Sequence, residues 1–193
     1  MMYDSDFRKY FSKTQIFSFK DAQRFLNKMG ASNAYVRVFI HNQMKRHGLK
    51  KIGKGKYTFS NNDAIVGFAF SPFYYGMEYA LTIHKLWTQM ANPVVVTTTK
   101  AVPGIRDSMG NTIVVRRISE RMFFGIEWIN YNGVFVPVSD AEKTLIDFAY
   151  YKIALNKEDL KSLINACDKK KLATYAKRCN GRVRLTIKRL ERA

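Results

Sequence analysis

The apolar positions of residues 18–30 recur with the spacing of an amphipathic helix. Four of them fall at i, i+3, i+4 and i+7: Ala22, Phe25, Leu26 and Met29. Ser18 is a good N-cap, and Asp21 stands three residues later, where its carboxylate can accept from the amides of the first turn. Gly30 ends the helix, because glycine adopts the left-handed conformation without steric cost.

A second helical pattern begins directly after Gly30. Its N-cap is Ser32 or Asn33, and Gly48 ends it. The predicted buried stripe contains four residues: Val36, Phe39, Ile40 and Met44. Two helices joined by about three residues that include a glycine have the spacing of a helix-turn-helix.

The segment "LKKIGKGKYTFS" that follows predicts a β-hairpin. Leu49 and Ile52 precede a Gly-Lys-Gly turn, and Tyr57 and Phe59 come after it. A hairpin directly after the second helix of a helix-turn-helix corresponds to the wing of a winged helix-turn-helix. The sequence therefore predicts an N-terminal winged helix-turn-helix domain over residues 1–60.

The polar face of the second helix predicts contacts with double-stranded DNA. Arg37 can fork onto O6 and N7 of guanine in the major groove, and Asn33 can pair with an adenine edge. The lysines of the hairpin can lie along the phosphate backbone while the helix occupies the groove. The predicted DNA-binding residues are Ser32, Asn33, Tyr35, Arg37, His41, Lys45, Lys50, Lys51, Lys54 and Lys56. An ordinary solvated helix face is the alternative interpretation.

Residues 61–193 predict a second domain of mixed character. "NNDAIVGFAF" and "SPFYYGMEYALTIHKLW" predict helices on either side of a Ser-Pro break, and "NPVVVTTTK", "NTIVVRRIS" and "GVFVPVS" predict strands. Ser139 and Glu142 form a predicted capping box that begins the helix "AEKTLIDFAYYKIA". The predicted fold class is α+β, with an N-terminal winged helix-turn-helix followed by a mixed α/β domain with a helical basic C-terminus.

Positive charge is concentrated at the two ends of the chain, which has a formal net charge of +18. Residues 1–60 contain 13 Lys and Arg against 3 Asp and Glu, residues 61–155 contain 8 of each, and residues 156–193 contain 12 against 4. Segregated charge predicts two surfaces that face a polyanion, whereas solvated lysine faces without a partner are the alternative.

The basic C-terminal end predicts three short helices. Asn156 caps the first, Asp168 caps the second, and Asn180-Gly181 separates the second from the third. A second basic surface is predicted at Lys169, Lys170, Lys171, Arg178, Arg182, Arg184, Lys188 and Arg189. This surface is expected to extend a DNA footprint, or to bind an acidic face of a partner protein or an RNA.

Composition and motifs favour a cytoplasmic protein without catalysis. Apolar residues make up 47% of the 193 residues, and no apolar stretch approaches the roughly 18–20 residues that span a bilayer. No signal peptide, disulfide framework, metal site or cofactor is predicted. Glu142, Lys143 and Asp147 lack the spacing of a nuclease motif, so they are interpreted as a capping box and a solvent-facing i,i+4 pair. No catalytic residues are predicted.

The order of several segments resembles the AbiEi-like antitoxins of type IV toxin–antitoxin and abortive-infection systems. The segments are "KIGKGKYTFS", "YYGMEYALTIHKL", "NPVVVTTTK", "RRISERMFFG" and "GVFVPVSDAEKTLIDFAYY", which cover most of residues 14–151. The resemblance implies a winged helix-turn-helix that represses its own operon at an inverted-repeat operator. It also implies a C-terminal domain that counteracts a nucleotidyltransferase-like toxin, without requiring direct contact between the two proteins.

Two other functions remain open from the residues alone. One is a winged-helix transcriptional regulator that has no toxin partner and whose second domain senses a ligand or dimerises. The other is an RNA-binding accessory protein, because two basic ends would serve that role as well.

Overall fold

The computed structural model describes residues 3–190 and has the predicted mixed α+β character. The chain divides into two compact units. The first comprises the described residues up to Ala69 together with Ser108–Gly110, and the second comprises Phe70–Asp107 and the described residues from Asn111 onward.

The first unit contains three helices and three short strands. In chain order they are α1 (Asp4–Phe11), β1 (Phe17–Ser18), α2 (Phe19–Lys28), α3 (Asn33–Arg46), β2 (Lys50–Gly53) and β3 (Lys56–Thr58). The strands form an antiparallel sheet in the order β1-β3-β2. A 3₁₀ segment, Asp63–Phe70, follows where the sequence predicts a capped helix.

The ends of α2 and α3 are fixed by local hydrogen bonds, as the sequence predicts. The hydroxyl of Ser18 accepts from the amide of Asp21 at 3.2 Å, and the Asp21 carboxylate accepts from the Ser18 amide at 2.9 Å. These bonds lower the pKa of Asp21. Ser32 caps α3, and Gly30, with φ of +91°, ends α2 in the left-handed conformation.

An aromatic core holds α1, α2, α3 and the sheet together. Phe7 of α1 is fully buried, and its ring centroid lies 5.0 Å from that of Phe39 on α3. One predicted core position of α3 is wrong, because Met44 is 38% exposed. Gln43 is buried beside it instead, and its side-chain amide donates to Asp4 of α1. Contact with α1 therefore turns a polar residue inward.

The second unit is built on a six-stranded sheet in the order β6-β7-β5-β4-β9-β8. Its strands are β4 (Phe73–Tyr75), β5 (Val94–Thr97), β6 (Gly104–Ser108), β7 (Asn111–Arg117), β8 (Ile126–Tyr131) and β9 (Val134–Ser139). Pairing is antiparallel between β4 and β5 and between β8 and β9, and parallel between β4 and β9 and between β5 and β7. The sequence predicts β5, β7 and β9 but not the other three strands.

Five helices accompany this sheet. They are α4 (Met77–Ile83), α5 (Ala141–Tyr151), α6 (Lys157–Ala166), α7 (Lys169–Ala176) and α8 (Gly181–Leu190), and a 3₁₀ turn covers Glu120–Met122. The helices α6 and α7 begin at the predicted caps, Asn156 and Asp168. Helix α5 packs against α4, α6, α7, α8 and β9, so its side chains are buried around most of its circumference.

The burial of α5 overturns two expectations. Its N-cap is Asp140, whose Oδ1 accepts from the amide of Lys143 at 2.7 Å, and not Ser139. Lys143 and Asp147 face the interior, with both side chains fully buried, and not solvent. The two side chains form an ion pair, and the hydroxyl of Tyr74 donates to Asp147 Oδ2 at 2.8 Å. Burial raises the pKa of Asp147, against the opposing effect of Lys143.

Candidate nucleic-acid interface

The outward face of α3 presents a row of basic side chains. Arg37, His41 and Lys45 are exposed and stand four residues apart, so they share one side of the helix. At 1.5 Å per residue the row extends over about 12 Å. Within residues 3–190, no hydrogen bond or ion pair engages these three side chains. They are therefore available to an external partner.

Two apolar side chains accompany the row and were not predicted as site residues. Val38 is 55% exposed and lies three and seven residues before His41 and Lys45, while Met44 is 38% exposed three residues after His41. Exposed apolar side chains on a helix that enters the major groove can contact the methyl group of thymine. The sequence pattern places Met44 in the buried stripe, but Gln43 is buried against Asp4 of α1 in its place, which leaves Met44 exposed.

Three predicted site residues at the start of α3 serve the fold. The Ser32 hydroxyl accepts from the amide of Tyr35 at 3.3 Å. The side-chain amide of Gln23 on α2 donates to Asn33 Oδ1 at 2.8 Å, which occupies the acceptor that an adenine edge would need. The ring of Tyr35 packs edge-on against Tyr3, with centroids 5.9 Å apart. The Gln23–Asn33 bond joins α2 to α3, the Ser32 bond caps α3, and the Tyr35 ring packs α3 against the residue that precedes α1.

The hairpin divides its four lysines between solvent and the protein. Lys51 and Lys54 are exposed, and Lys50 is half-buried. The ammonium group of Lys56 donates to the main-chain carbonyl of Phe68 at 2.7 Å. Lys56 therefore helps to attach the 3₁₀ segment to the hairpin, and Lys51 and Lys54 remain as the exposed cations of the hairpin.

The first unit combines this surface with a long stretch that lacks acids. No Asp or Glu occurs between Asp21 and Asp63, whereas that stretch holds nine Lys and Arg residues. The stretch contributes no carboxylate of its own to reduce its positive potential, although Asp4 of α1 lies beside Gln43 and His47 at the end of α3. Helix α3 and the hairpin both lie inside this stretch.

The predicted second basic surface lies on α7, α8 and their connection. Its eight residues are exposed, but three of them have internal partners. Lys171 Nζ lies 3.1 Å from Asp140 Oδ2 and 3.0 Å from Glu142 Oε2. The guanidinium of Arg178 stacks 4.1 Å from the ring centroid of Phe124, and Arg182 donates to the carbonyl of Tyr150 at 3.4 Å. The residues that are exposed and make no such contact with residues 3–190 are Lys169, Lys170, Arg184, Lys188 and Arg189.

The contacts of Lys171 attach α7 to the start of α5. Glu142 Oε1 accepts from the amide of Asp168 at 2.7 Å. Burial opposes ionisation of Glu142, but the Asp168 amide and Lys171 together lower its pKa. Gly125 lies against the same junction with φ of +66°, and a Cβ there would stand 2.8 Å from both Lys143 Cβ and Tyr175 Cε2. Only glycine fits this position without displacing α5 or α7.

The part of the chain between residues 3 and 190 contains neither a cluster of possible metal ligands nor a membrane-spanning helix. No group of three or more His, Cys, Asp and Glu side chains in it converges on one point. None of the helices in this range has the length and apolar character to cross a bilayer.

Comparison with known proteins supports the fold and no more. No family model matches the sequence, and no curated protein matches it. The crystal structure of the RV2827C protein from Mycobacterium tuberculosis is similar, with a TM-score of 0.72 and 10% sequence identity. The similarity covers 100% of this chain and 77% of that protein. At this identity, the likeness shows a shared fold.

Proposed function

We propose that the first unit is a winged helix-turn-helix that binds double-stranded DNA, and that the protein is an AbiEi-like antitoxin that represses its own operon. The observation that carries the proposal is the exposed row of Arg37, His41 and Lys45 on α3, followed directly by a hairpin that exposes Lys51 and Lys54. Helix α3 follows a capped helix and a glycine turn, which is the order of a helix-turn-helix.

The proposed binding mode assigns different tasks to the helix and the hairpin. Helix α3 enters the major groove, where the guanidinium of Arg37 donates to O6 and N7 of a guanine. His41 and Lys45 follow along the groove toward the backbone. Lys51 and Lys54 lie on phosphates, which position the protein without reading the sequence. The operator is an inverted repeat if two copies bind together.

The antitoxin part of the proposal is supported by the order of the segments that resemble AbiEi-like antitoxins. On this proposal the protein acts in the cytoplasm, needs no cofactor and catalyses no reaction. The second unit then counteracts a nucleotidyltransferase-like toxin, and direct contact between the two proteins is not required.

A footprint on the DNA upstream of the protein's own reading frame tests the DNA-binding part. We expect protection of an inverted repeat at nanomolar protein, and competition by unlabelled operator far better than by a structured RNA of equal length. The specific complex should bind at least about a thousandfold more tightly than random duplex at physiological salt. Equal competition by the RNA and the operator would contradict the proposal and favour an RNA-binding accessory protein.

A further inference from the structure

The packing of α7 against α8 leaves a groove on the second unit that combines aliphatic and cationic side chains. The groove has a volume of about 230 Å³. Its aliphatic lining consists of Leu172, Ala173, Ala176 and Ile187. Its cationic lining consists of Lys177, Arg184 and Lys188. Leu172 and Ile187 are buried and form the floor, whereas the three cations are exposed and form the rim.

The size of the groove suits side chains that project from another macromolecule. Sites for small molecules and cofactors usually occupy about 300–1,000 Å³. The α7–α8 groove is smaller, and its lining includes two alanines, Ala173 and Ala176, that stand three residues apart on α7. Small side chains at this spacing let the backbone of a partner approach closely.

The charge around the groove selects an acidic partner. Residues 169–190 contain nine Lys and Arg and no Asp or Glu. Three of these nine residues line the groove. When side chains of a partner contact the floor, the neighbouring parts of that partner therefore lie against the three cations. Complementary charge of this kind raises the association rate and fixes the orientation of the partner.

The lining of the groove favours a protein segment over a nucleic acid. Single-stranded nucleic acids bind through bases that stack on aromatic side chains. None of the described residues that line the groove is aromatic. An aliphatic floor instead accepts the leucine-type side chains of an amphipathic helix, which binds in a groove through residues at i, i+3, i+4 and i+7.

We propose that the α7–α8 groove is a docking site for an acidic amphipathic helix of a partner protein. Aliphatic side chains of that helix enter between Leu172 and Ile187, and its carboxylates face Lys177, Arg184 and Lys188. The site belongs to the second unit and does not depend on DNA binding by α3.

A synthetic helical peptide provides the probe. It carries leucines at i, i+3, i+4 and i+7 on one face and glutamates on the flanks, with a fluorescent label for anisotropy against the full chain. A matched peptide replaces the leucines by serines at the same net charge. We expect the leucine peptide to bind at least about tenfold more tightly, since burying even one leucine side chain is worth that factor. Equal binding of the two peptides would overturn the proposal.

Two arginine substitutions on α7 distinguish the effect of filling the groove on peptide binding from the effect of adding a positive charge. Ala173→Arg places a long side chain over the floor, whereas Thr174→Arg adds the same charge about 100° around the helix. Both positions are exposed, so both variants should fold, which circular dichroism verifies. We expect Ala173→Arg to weaken leucine-peptide binding by about tenfold or more, and Thr174→Arg to leave it unchanged or slightly tighter. If both variants tighten binding equally, the attraction is electrostatic alone and the groove is not the site.

Two charge-reversal variants provide a second, independent comparison. Lys188→Glu on the rim should weaken the peptide more than Lys169→Glu, which is exposed but does not line the groove. A structured RNA whose binding is weakened by Lys188→Glu more than by Lys169→Glu, while the leucine peptide does not bind, would assign the groove to nucleic acid and overturn the proposal. Arg37→Ala should leave peptide binding unchanged, so failure of the DNA-binding proposal would be recognised separately.

Discussion

Helix α3 and helix α7 each present a row of basic side chains to solvent, and the surroundings of the two rows differ. On α3, Arg37, His41 and Lys45 make no hydrogen bond or ion pair with the described residues 3–190. On α7, Lys171 pairs with Asp140 and Glu142. The first row lies in a stretch without acids, whereas the second row is partly neutralised by carboxylates from the start of α5.

This difference teaches that a count of basic residues does not measure the charge available to a partner. Asp140 and Glu142 precede Lys171 by about thirty positions, so only the fold brings the three together. Likewise, Lys56 and Lys54 stand two residues apart in one hairpin, but only Lys56 is held by the carbonyl of Phe68. The available cations are those that the fold leaves without an internal acceptor.

The largest expected effect concerns a lysine that is withdrawn from solvent entirely. Lys143→Ala leaves the buried carboxylate of Asp147 without its cation, which should lower the free energy of unfolding by about 3–5 kcal/mol. Urea unfolding followed by circular dichroism measures the change. Lys170→Ala, on the exposed side of α7, is the matched control and should stay within about 0.5 kcal/mol of the parent. A change at Lys143 as small as the control would contradict the buried pair.

The next effect concerns the proposed recognition of an operator by α3. Arg37→Ala should cost about 1–3 kcal/mol in binding to the operator and should relax the preference at one base position. Binding to a random duplex should change much less, because the lost contact is to base edges. Anisotropy titrations with both duplexes measure the difference. Arg24→Ala, which removes an exposed arginine of α2 that lies beside Asp21, is the control and should leave the ratio of the two affinities unchanged.

The smallest effect separates two lysines of the hairpin. Lys54→Ala should weaken all duplexes about equally and reduce the slope of log K against log salt by about 0.9, the value for one phosphate contact. Lys56→Ala should leave that slope unchanged, because its ammonium group is engaged by Phe68. The slopes come from titrations between about 50 and 200 mM salt. Equal slopes for the two variants would remove the hairpin from the proposed interface.

Local features of the fold were predictable because they depend on neighbouring residues. The Ser18–Asp21 capping box spans three positions, and so does the cap of Asp168 on the amide of Lys171. A helical period also placed Arg37, His41 and Lys45 on one face without knowledge of the rest of the molecule. Sequence patterns of this length therefore identify α2, α3 and α7 and the exposed row of α3.

Elements that exist only through distant contacts were not predictable. Strand β1 consists of Phe17 and Ser18, which become a strand by pairing with Tyr57 and Lys56 about forty residues later. Helix α1 has no side-chain cap and only a few apolar positions, and Phe7 becomes core because the other helices enclose it. Both elements are determined by the residues that they contact elsewhere in the chain, and not by a pattern within the segment.

The wrong prediction that Lys143 and Asp147 face solvent has the same origin. An i,i+4 pair of opposite charge usually marks a solvated helix face. Here α5 is enclosed by other helices and by the sheet, so the pair is buried and receives a third partner from Tyr74. Nothing within the helix itself distinguishes these two environments.

Gly125 carries a consequence for how the second unit tolerates change. A single methyl group at this position would compete for space with Lys143 and Tyr175 at once. The seating of α7 against α5 thus relies on a position where a hydrogen atom is the largest substituent that fits, and this position is separate from the α7–α8 groove. A conservative Gly125→Ala exchange would loosen the basic helices while leaving every surface charge in place.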